Sequence, residues 1–438
     1  MDPLYAASII FILLLFYLGI GIWVFAGLFL IGFSSLYFIA DFPLARIGAI
    51  LEPTVWRSTT SWELAAIPMF IWMGEIVFRT DISQRLFNGL APFVNRIPGR
   101  FLHINVAGSA LFAMVCGSST ATTATIGRIT LDELQKRGYS RSLAVGSLAG
   151  AGSLGLLIPP SIVLIIYGVL AEVSITKLFA AGLIPGLMIA AIYMAYIAIV
   201  AMFRPSMAPA TADRSDWRAM LQGLRLLAPV IILIVVVLGG LYTGFASPSE
   251  SGALGVAVTI VMTTLQRQLN WKLLLESSLA AVRTSCMIIA IMVGAAFLST
   301  TMGYLHIPAG VARAIDSLDL SPAVLLIVLA IFYIILGMFL DGISMIVMTL
   351  PITLPIVMAA GYDPLWFGIY LVIMTELAQI TPPVGLNLFV IQGLTGRSIG
   401  SVALDALPFF FLMCLATAIL ALFPQIVHWL PGLLMSAK

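Results

Sequence analysis

The stretch Ile380-Thr381-Pro382-Pro383-Val384-Gly385-Leu386-Asn387 sits inside an otherwise apolar segment that runs from about Leu365 to Val390. A proline pair removes two backbone donors and bars the preceding residue from helical geometry, so a segment long enough to cross a bilayer must break halfway. In hydrocarbon a broken backbone survives only where protein buries it or a polar cavity solvates it, and interrupted helices are where transporters hold ions and substrates. The same device recurs as Leu157-Ile158-Pro159-Pro160-Ser161, and 382 − 159 places it 223 residues upstream.

Composition sets the class. The chain has 438 residues, 61% of them hydrophobic and 9% charged, whereas soluble domains average about 25% charged. These values predict an all-α polytopic membrane protein. The 21 basic and 19 acidic side chains are sorted into loops, which excludes a nucleic-acid-binding patch. Cys116, Cys286 and Cys414 all lie in apolar runs and read as packing thiols. The N-terminal apolar run lacks a basic n-region and a small-residue cleavage site, so it reads as a mature span and not a signal peptide.

Taken in order, the chain shows spans at about 5–21, 23–40 and 61–79, separated by loops carrying Asp41, Arg46, Glu52 and Arg57. Residues 80–98 place Ile82, Leu86, Leu90, Phe93 and Val94 at helical spacing, which suits an interfacial arm. Residues 103–138 are apolar up to Cys116, turn small and polar at Gly117-Ser118-Ser119-Thr120, and end in a charged cluster. Each half spans roughly 20–24 Å as helix, too short for a core of about 30 Å. Basic residues flank both ends, so the segment is predicted to be a re-entrant helical hairpin with its tip at Gly117–Thr120. A broken helix at 143–170 and a span at 178–202 follow, and the polar linker 203–225 closes a first repeat, 1–202.

The plan then restarts as a second repeat, 226–438. Spans fall at about 226–243, 248–264 and 284–302, with an arm at 303–320 and a hairpin at 322–360 that breaks at Gly337–Ser344. A broken helix at 364–392 and a span at 401–427 complete it. Subtracting 223 aligns Ile129-Thr130-Leu131 with Ile352-Thr353-Leu354, Gly138-Tyr139 with Gly361-Tyr362, and Pro185 with Pro408. Placing the loops around 80–104, 128–141, 203–225, 267–283 and 397 inside gives each half an odd number of crossings. The halves are therefore expected to be inverted-topology repeats with both termini outside, the architecture of secondary transporters that bind at the midplane.

Two hairpin tips and two broken helices would bring half-helix ends to one depth. Free N–H groups at N-termini favour an anion, and unpaired carbonyls at C-termini suit a hard cation such as Na+. The candidate substrate contacts are Ser119, Thr120, Gly155, Ser161, Gly385 and Asn387. The candidate sodium ligands are Ser118, Ser119, Gly150, Gly155, Asp341, Gly342, Ser344, Thr381 and Gly385, which would offer hydroxyl, carboxylate or backbone oxygens. Asp341 is the sharpest single signal, because a carboxylate at mid-membrane costs about 2.5–3.5 kcal/mol on insertion scales and marks function; the bland alternative is a helix cap nearer the interface. Glu376 lies beside the second break and reads equally as an ion-coupling group or a hydrogen bond that fixes packing. Glu75 has Arg79 one turn later and reads as an interfacial pair. The serines and threonines after Gly117 could also be small-residue helix packing, and only the hairpin argument lifts them above that.

With these motifs in place, the chain resembles the large membrane subunit of a tripartite ATP-independent periplasmic (TRAP) transporter, the DctM/SiaM-like permease. The resemblance rests on Ile67-Pro68-Met69-Phe70 with Met73-Gly74, on the Gly117-Ser118-Ser119 tip followed by Lys136-Arg137-Gly138-Tyr139, and on Leu154-Gly155-Leu156-Leu157-Ile158-Pro159-Pro160-Ser161. Phe179-Ala180-Ala181-Gly182 with Pro185-Gly186, Ser247-Pro248-Ser249-Glu250, Gly337-Met338-Phe339-Leu340-Asp341 and the opening stretch complete it. Ser247 stands where the pattern leads one to expect threonine. The resemblance implies an elevator-type, sodium-coupled importer of organic acids such as dicarboxylates or sialic acid, in the bacterial inner membrane. It also implies a small four-helix membrane subunit, expected here as a separate chain, and a periplasmic substrate-binding protein. No organic cofactor is expected.

Three rivals frame this reading. A stand-alone sodium-coupled divalent-anion or citrate-type carrier would share the hairpin plan. An intramembrane hydrolase would need a base within the membrane, yet His103, His306 and His428 all flank spans, so the chain is read as no enzyme. An ATP-driven pump is disfavoured because no Lys follows a Gly-x-x-x-x-Gly spacing.

Overall fold

The computed structural model describes residues 3–209, 216–317 and 321–436. Asp213 and Arg214 of the expected linker, and 318–320 at the end of the second expected arm, lie outside the described residues. The first repeat contains α1 (Pro3–Gly19), α2 (Val24–Ser34, continued by a π-helical turn to Ile39), α3 (Leu44–Thr59), α4 (Ala66–Phe78) and α5 (Ile82–Val94). Then come α6 (Leu102–Cys116), α7 (Ser119–Lys136), α8 (Arg141–Gly152), α9 (Ile162–Leu170) and α10 (Ile175–Phe203). The second repeat contains α11 (Trp217–Tyr242), α12 (Pro248–Leu265), α13 (Trp271–Tyr304), α14 (Ile307–Ser317) and α15 (Pro322–Gly337). It continues with α16 (Gly342–Ala359), α17 (Pro364–Gln379), α18 (Leu386–Thr395), α19 (Ile399–Leu422) and α20 (Gln425–Ser436).

The 223-residue offset holds at the level of elements. The starts of α16 and α7 (342 − 119), their ends (359 − 136) and the starts of α17 and α8 (364 − 141) all differ by 223. Both proline pairs, Pro159-Pro160 and Pro382-Pro383, have cis bonds. Packing repeats with the sequence, and it does so reciprocally, as a two-fold relation between halves requires. The arm α5 lies on α11 and the arm α14 on α1, so each repeat's arm embraces the other's first helix. In the same way α4 packs on α12 and α2 on α13, α8 on α19 and α17 on α10, and α7 on α18 and α16 on α9. Where α5 crosses α11, a Cβ at Gly223 would come 2.6 Å from the Gly89 carbonyl oxygen, so the crossing needs glycine on that face.

These contacts sort the helices into two layers. A scaffold comprises α1–α5 and α11–α14; a tip layer comprises both hairpins, both broken helices, α10, α19 and α20. Polar ties run within each layer. In the scaffold Arg79 pairs with Glu75 at 3.2 Å, the pair expected from their spacing, and with Glu276 at 3.0 Å, while Trp72 Nε1 donates to Ser277 Oγ at 3.2 Å. In the tip layer Asp405 receives both Arg397 and Ser142.

Three expectations change. The region 41–60, expected as a loop, contains the amphipathic helix α3, which meets the helical segment Trp62–Phe78 at a bend of 50°. The loop expected at 267–283 is mostly the first half of α13, a helix of 34 residues. Its charges lie on an exposed face, where Lys272 reaches Glu276 at 3.9 Å, while Ser277, Ala281 and Ser285 are buried. A last helix, α20, follows the expected final span and packs on α10. Among the described residues five helices are long and apolar enough to cross a membrane, six if the bent pair of α3 with Trp62–Phe78 counts as one.

The α8–α19 contact supplies a test. A Cβ at Gly146 would overlap the Asp405 carbonyl oxygen, which is backbone and cannot step aside. Gly146→Ala should destabilise the protein by about 1–3 kcal/mol through overpacking, and lower its Tm in detergent. Gly393→Ala, with open space around its Cα, should leave Tm unchanged or raise it. Equal melting of the two variants would refute the close approach.

Candidate substrate and ion site

The first tip is built by a glycine and a serine. Gly117 ends α6 with φ +61, a left-handed backbone that side chains disfavour, and lets the chain reverse in one residue. Ser118 is extended and caps α7, accepting from the Ala121 N–H at 3.4 Å. A Cβ at Gly117 would lie 2.9 Å from the Pro160 carbonyl oxygen, and one at Gly155 would lie 2.5 Å from Ser119 Cα. The tip therefore rests backbone to backbone on the first break, whose residues 153–161 are all buried. Within that break Ser161 accepts from the Leu164 N–H at 3.3 Å and donates to the Leu156 carbonyl oxygen, which caps α9.

Ser119, the next residue, is the centre of a buried polar node. Its Oγ lies 3.0 Å from the Gly152 carbonyl oxygen and 2.9 Å from Glu376 Oε2, and it accepts from Asn387 Nδ2 at 2.7 Å. Glu376 Oε1 accepts from the Leu156 N–H at 2.8 Å. The node joins the first hairpin (Ser119), the first break (Gly152, Leu156), and both halves of the second broken helix (Glu376 on α17, Asn387 on α18). Ser119, Glu376 and Asn387 are each no more than 1% exposed. Two buried oxygens beside it, Asn387 Oδ1 and Thr123 Oγ1, have no hydrogen-bond partner among the described residues.

The second tip is differently made. Asp341 is exposed and caps α16, accepting from the N–H groups of Ile343 and Ser344, each at 3.1 Å. A Cβ at the adjacent Gly342 would meet Thr375 Cγ2 at 2.5 Å, with Gln379 Nε2 and Leu156 Cδ1 both at 3.2 Å, so this tip docks on α17 beside the first break. The second break is more open than the first. Thr381 is half-buried, with its hydroxyl donating to the Leu377 carbonyl oxygen at 2.7 Å, and residues 382–384 are exposed. Its outer face borders an apolar cleft of about 440 Å³ lined by Thr381, Pro382, Ala403 and Leu407. Gly385 caps α18 with φ +47, and a Cβ there would lie 2.8 Å from the Thr381 carbonyl oxygen.

Of the expected residues, the structure brings Ser119, Gly155 and Asn387 together. Ser118 and Thr120 stay at the first tip, with their hydroxyls 3.3 Å apart, while Asp341, Gly342 and Ser344 form the second tip. Gly150 packs on Phe409 of α19, and its carbonyl oxygen accepts from Ser153 Oγ at 2.6 Å. Glu376 was visible in the sequence as a carboxylate in an apolar run, but its partner Ser119 lies 257 residues away and no local spacing announced the pairing. A cavity of about 1000 Å³ lies apart from this node, between α3, α13, α16 and the turn joining α9 to α10.

A family model described as "Tripartite ATP-independent periplasmic transporter, DctM component" matches residues 9–426. The C4-dicarboxylate TRAP transporter large permease protein DctM of Pseudomonas aeruginosa is 33% identical over 387 residues, covering 86% of this chain and 88% of that protein. The isethionate TRAP transporter permease protein DctMQ of Oleidesulfovibrio alaskensis is 30% identical over 432 residues, covering 98% of this chain and 67% of that protein. Among solved structures, the YdaH transporter of Alcanivorax borkumensis superposes with a TM-score of 0.60 at 15% identity, covering 86% of this chain and 88% of that one, a likeness of fold. The match to almost the whole chain, with its hairpins and broken helices, makes this multi-pass membrane protein a member of the DctM component family of TRAP transporters.

Proposed function

We propose that the chain is the large membrane subunit of a sodium-coupled secondary importer of a small organic acid in the bacterial inner membrane. It works with a small four-helix membrane subunit and with a periplasmic binding protein that delivers the substrate, and it moves the substrate by an elevator displacement of the tip layer along the scaffold. The observation that carries this reading is the meeting of the first hairpin tip with both broken helices at Ser119, Gly155 and Asn387. N-termini of half-helices face a small anion with N–H groups and positive dipole ends, and C-terminal carbonyls with serine and threonine hydroxyls form a donor set suited to a hard cation. The relatives' names support the substrate class, since C4-dicarboxylates and isethionate are small organic anions. The name DctMQ, on a relative that extends beyond this chain's match, supports a small subunit as partner. The separation of polar ties into two layers supports movement of one against the other.

In proteoliposomes holding the assembled complex, succinate uptake should require the binding protein and an inward sodium gradient; equal uptake with potassium in place of sodium would sink the reading. Asp341→Asn should weaken sodium activation by roughly tenfold, equivalent to about 1.4 kcal/mol, with the fold intact. Unchanged sodium activation would remove Asp341 from the ion site. Ser119→Ala, Thr381→Ala and Gly155→Ala should each impair transport by about tenfold or more, equivalent to at least about 1.4 kcal/mol, whereas Ser34→Ala in α2 should not. Similar losses in all four would reduce the tip assignment to packing.

A further inference from the structure

The cavity of about 1000 Å³ is bounded on one side by the scaffold helices α3 and α13 and on the other by α16 and the turn Ala171–Ser174 of the tip layer. Hydroxyls of Thr54, Ser58, Ser61, Ser174, Ser299 and Thr300 line it. Its charged side chains are Arg57, Glu63 and Glu172. Glu63 is engaged by the Ser61 hydroxyl. Arg57 reaches across from α3 to Glu172, one Nη2–Oε1 contact at 3.4 Å, with the two side chains 86% and 81% exposed. The pair therefore ties the two layers together at the cavity, and it is weak: exposed ion pairs contribute about 0–1 kcal/mol.

Two features make the pair more than a surface contact. Arg57 spends one of its five N–H donors, at the long end of the range, so the fork that matches a carboxylate is otherwise unspent. Glu172 sits at φ +54, a left-handed backbone that glycine would adopt without cost, and it lines the cavity beside the cation. A carboxylate is thus already seated, loosely, on Arg57, the cation that lines the cavity among the described residues. The volume lies at the upper end of that of small-molecule sites, about 300–1,000 Å³. By the topology argued above, α9 runs from mid-membrane to the outer face, which puts the cavity on the side where substrate arrives.

We infer that this cavity is an entry vestibule for the substrate anion, in which a substrate carboxylate displaces Glu172 from Arg57 and so releases the α9–α10 turn from the scaffold. Arg57 is the docking cation and Glu172 its resident competitor. The inference rests on the anion-import reading of the preceding section, and its test separates the two. In proteoliposomes of the assembled complex with the succinate-loaded binding protein, Arg57→Gln should raise KM about tenfold, the equivalent of about 1.4 kcal/mol, with kcat within about twofold. Glu172→Gln should lower KM, because the competitor is gone while the cation remains. Opposite signs are the signature: a pair that merely held the layers together would shift KM in the same direction whichever partner was removed. Shifts of the same sign, or KM unchanged in both, would overturn the inference. Arg57→Lys, which keeps the charge, should recover part of the affinity, and its failure to do so would also count against a docking cation. Both positions are exposed, so thermal unfolding should be unaltered; absence of uptake by the unsubstituted complex would instead refute the import reading itself.

Discussion

A broken helix inside a membrane leaves backbone donors that water cannot reach, and the architecture depends on who accepts from them. At the first break the Leu156 N–H is taken by Glu376, a carboxylate from the opposite repeat, at 2.8 Å. The other carboxylate oxygen meets Ser119 of the first hairpin. One buried side chain thus satisfies the frayed backbone of one repeat, anchors the hairpin tip and belongs to the broken helix of the other. Without such a partner the break would cost several kcal/mol per orphaned group, and the tip would have no reason to dock where it does.

The node is not symmetric, although the fold is. Subtracting 223 from Glu376, Gly342 and Asn387 gives Ser153, Ser119 and Leu164. The second tip accordingly has glycine where the first has the central hydroxyl, and Ser153 turns back to the Gly150 carbonyl oxygen at 2.6 Å and does not reach across. The first break is sealed while the second is partly open, with residues 382–384 exposed. Duplication accounts for the scaffold and the paired breaks; divergence at a few positions decides which of them is a tight polar junction and which keeps an open face.

This division explains what was legible in the sequence. The proline pairs, the Gly-Ser-Ser tip and the 223-residue offset are local or periodic signals, and the helices begin or end within a few residues of the bounds these signals give. Helix α3 and the first half of α13 are hidden from a hydropathy reading by their charges, Arg46, Glu52 and Arg57 in one and Lys272, Glu276 and Arg283 in the other, which lower the apolar character of the segment. Those charges lie on exposed faces of helices that also have a buried side, such as Ile47 and Ile50 in α3. Asp341 drew attention as an intramembrane carboxylate, and the structure gives it an exposed capping position. Glu376, which looked equally like packing, proved to be the carboxylate with partners from the other repeat. Sequence separation of 220 and 257 residues hides such bonds from any reading by spacing.

The same accounting separates the two layers. Short hydrogen bonds and ion pairs such as Arg79 with Glu276 in the scaffold, and Trp366 Nε1 with the Leu420 carbonyl oxygen in the tip layer, hold each layer together internally. Where the layers touch, the fit is made by packing: a Cβ at Gly74 of α4 would lie 3.2 Å from Cys116 Cα at the end of α6, and Phe70 of α4 meets Phe179 of α10 edge-on with ring centroids 6.2 Å apart. Contacts of this kind are non-directional, so sliding one surface on the other forfeits little specific bonding, whereas the node around Ser119 and Glu376 would have to break for the first tip to leave the second broken helix. The chain therefore spends its directional bonds on keeping the tip assembly whole, and its boundary with the scaffold rests on close packing, with the exposed ion pair of Arg57 and Glu172 across it.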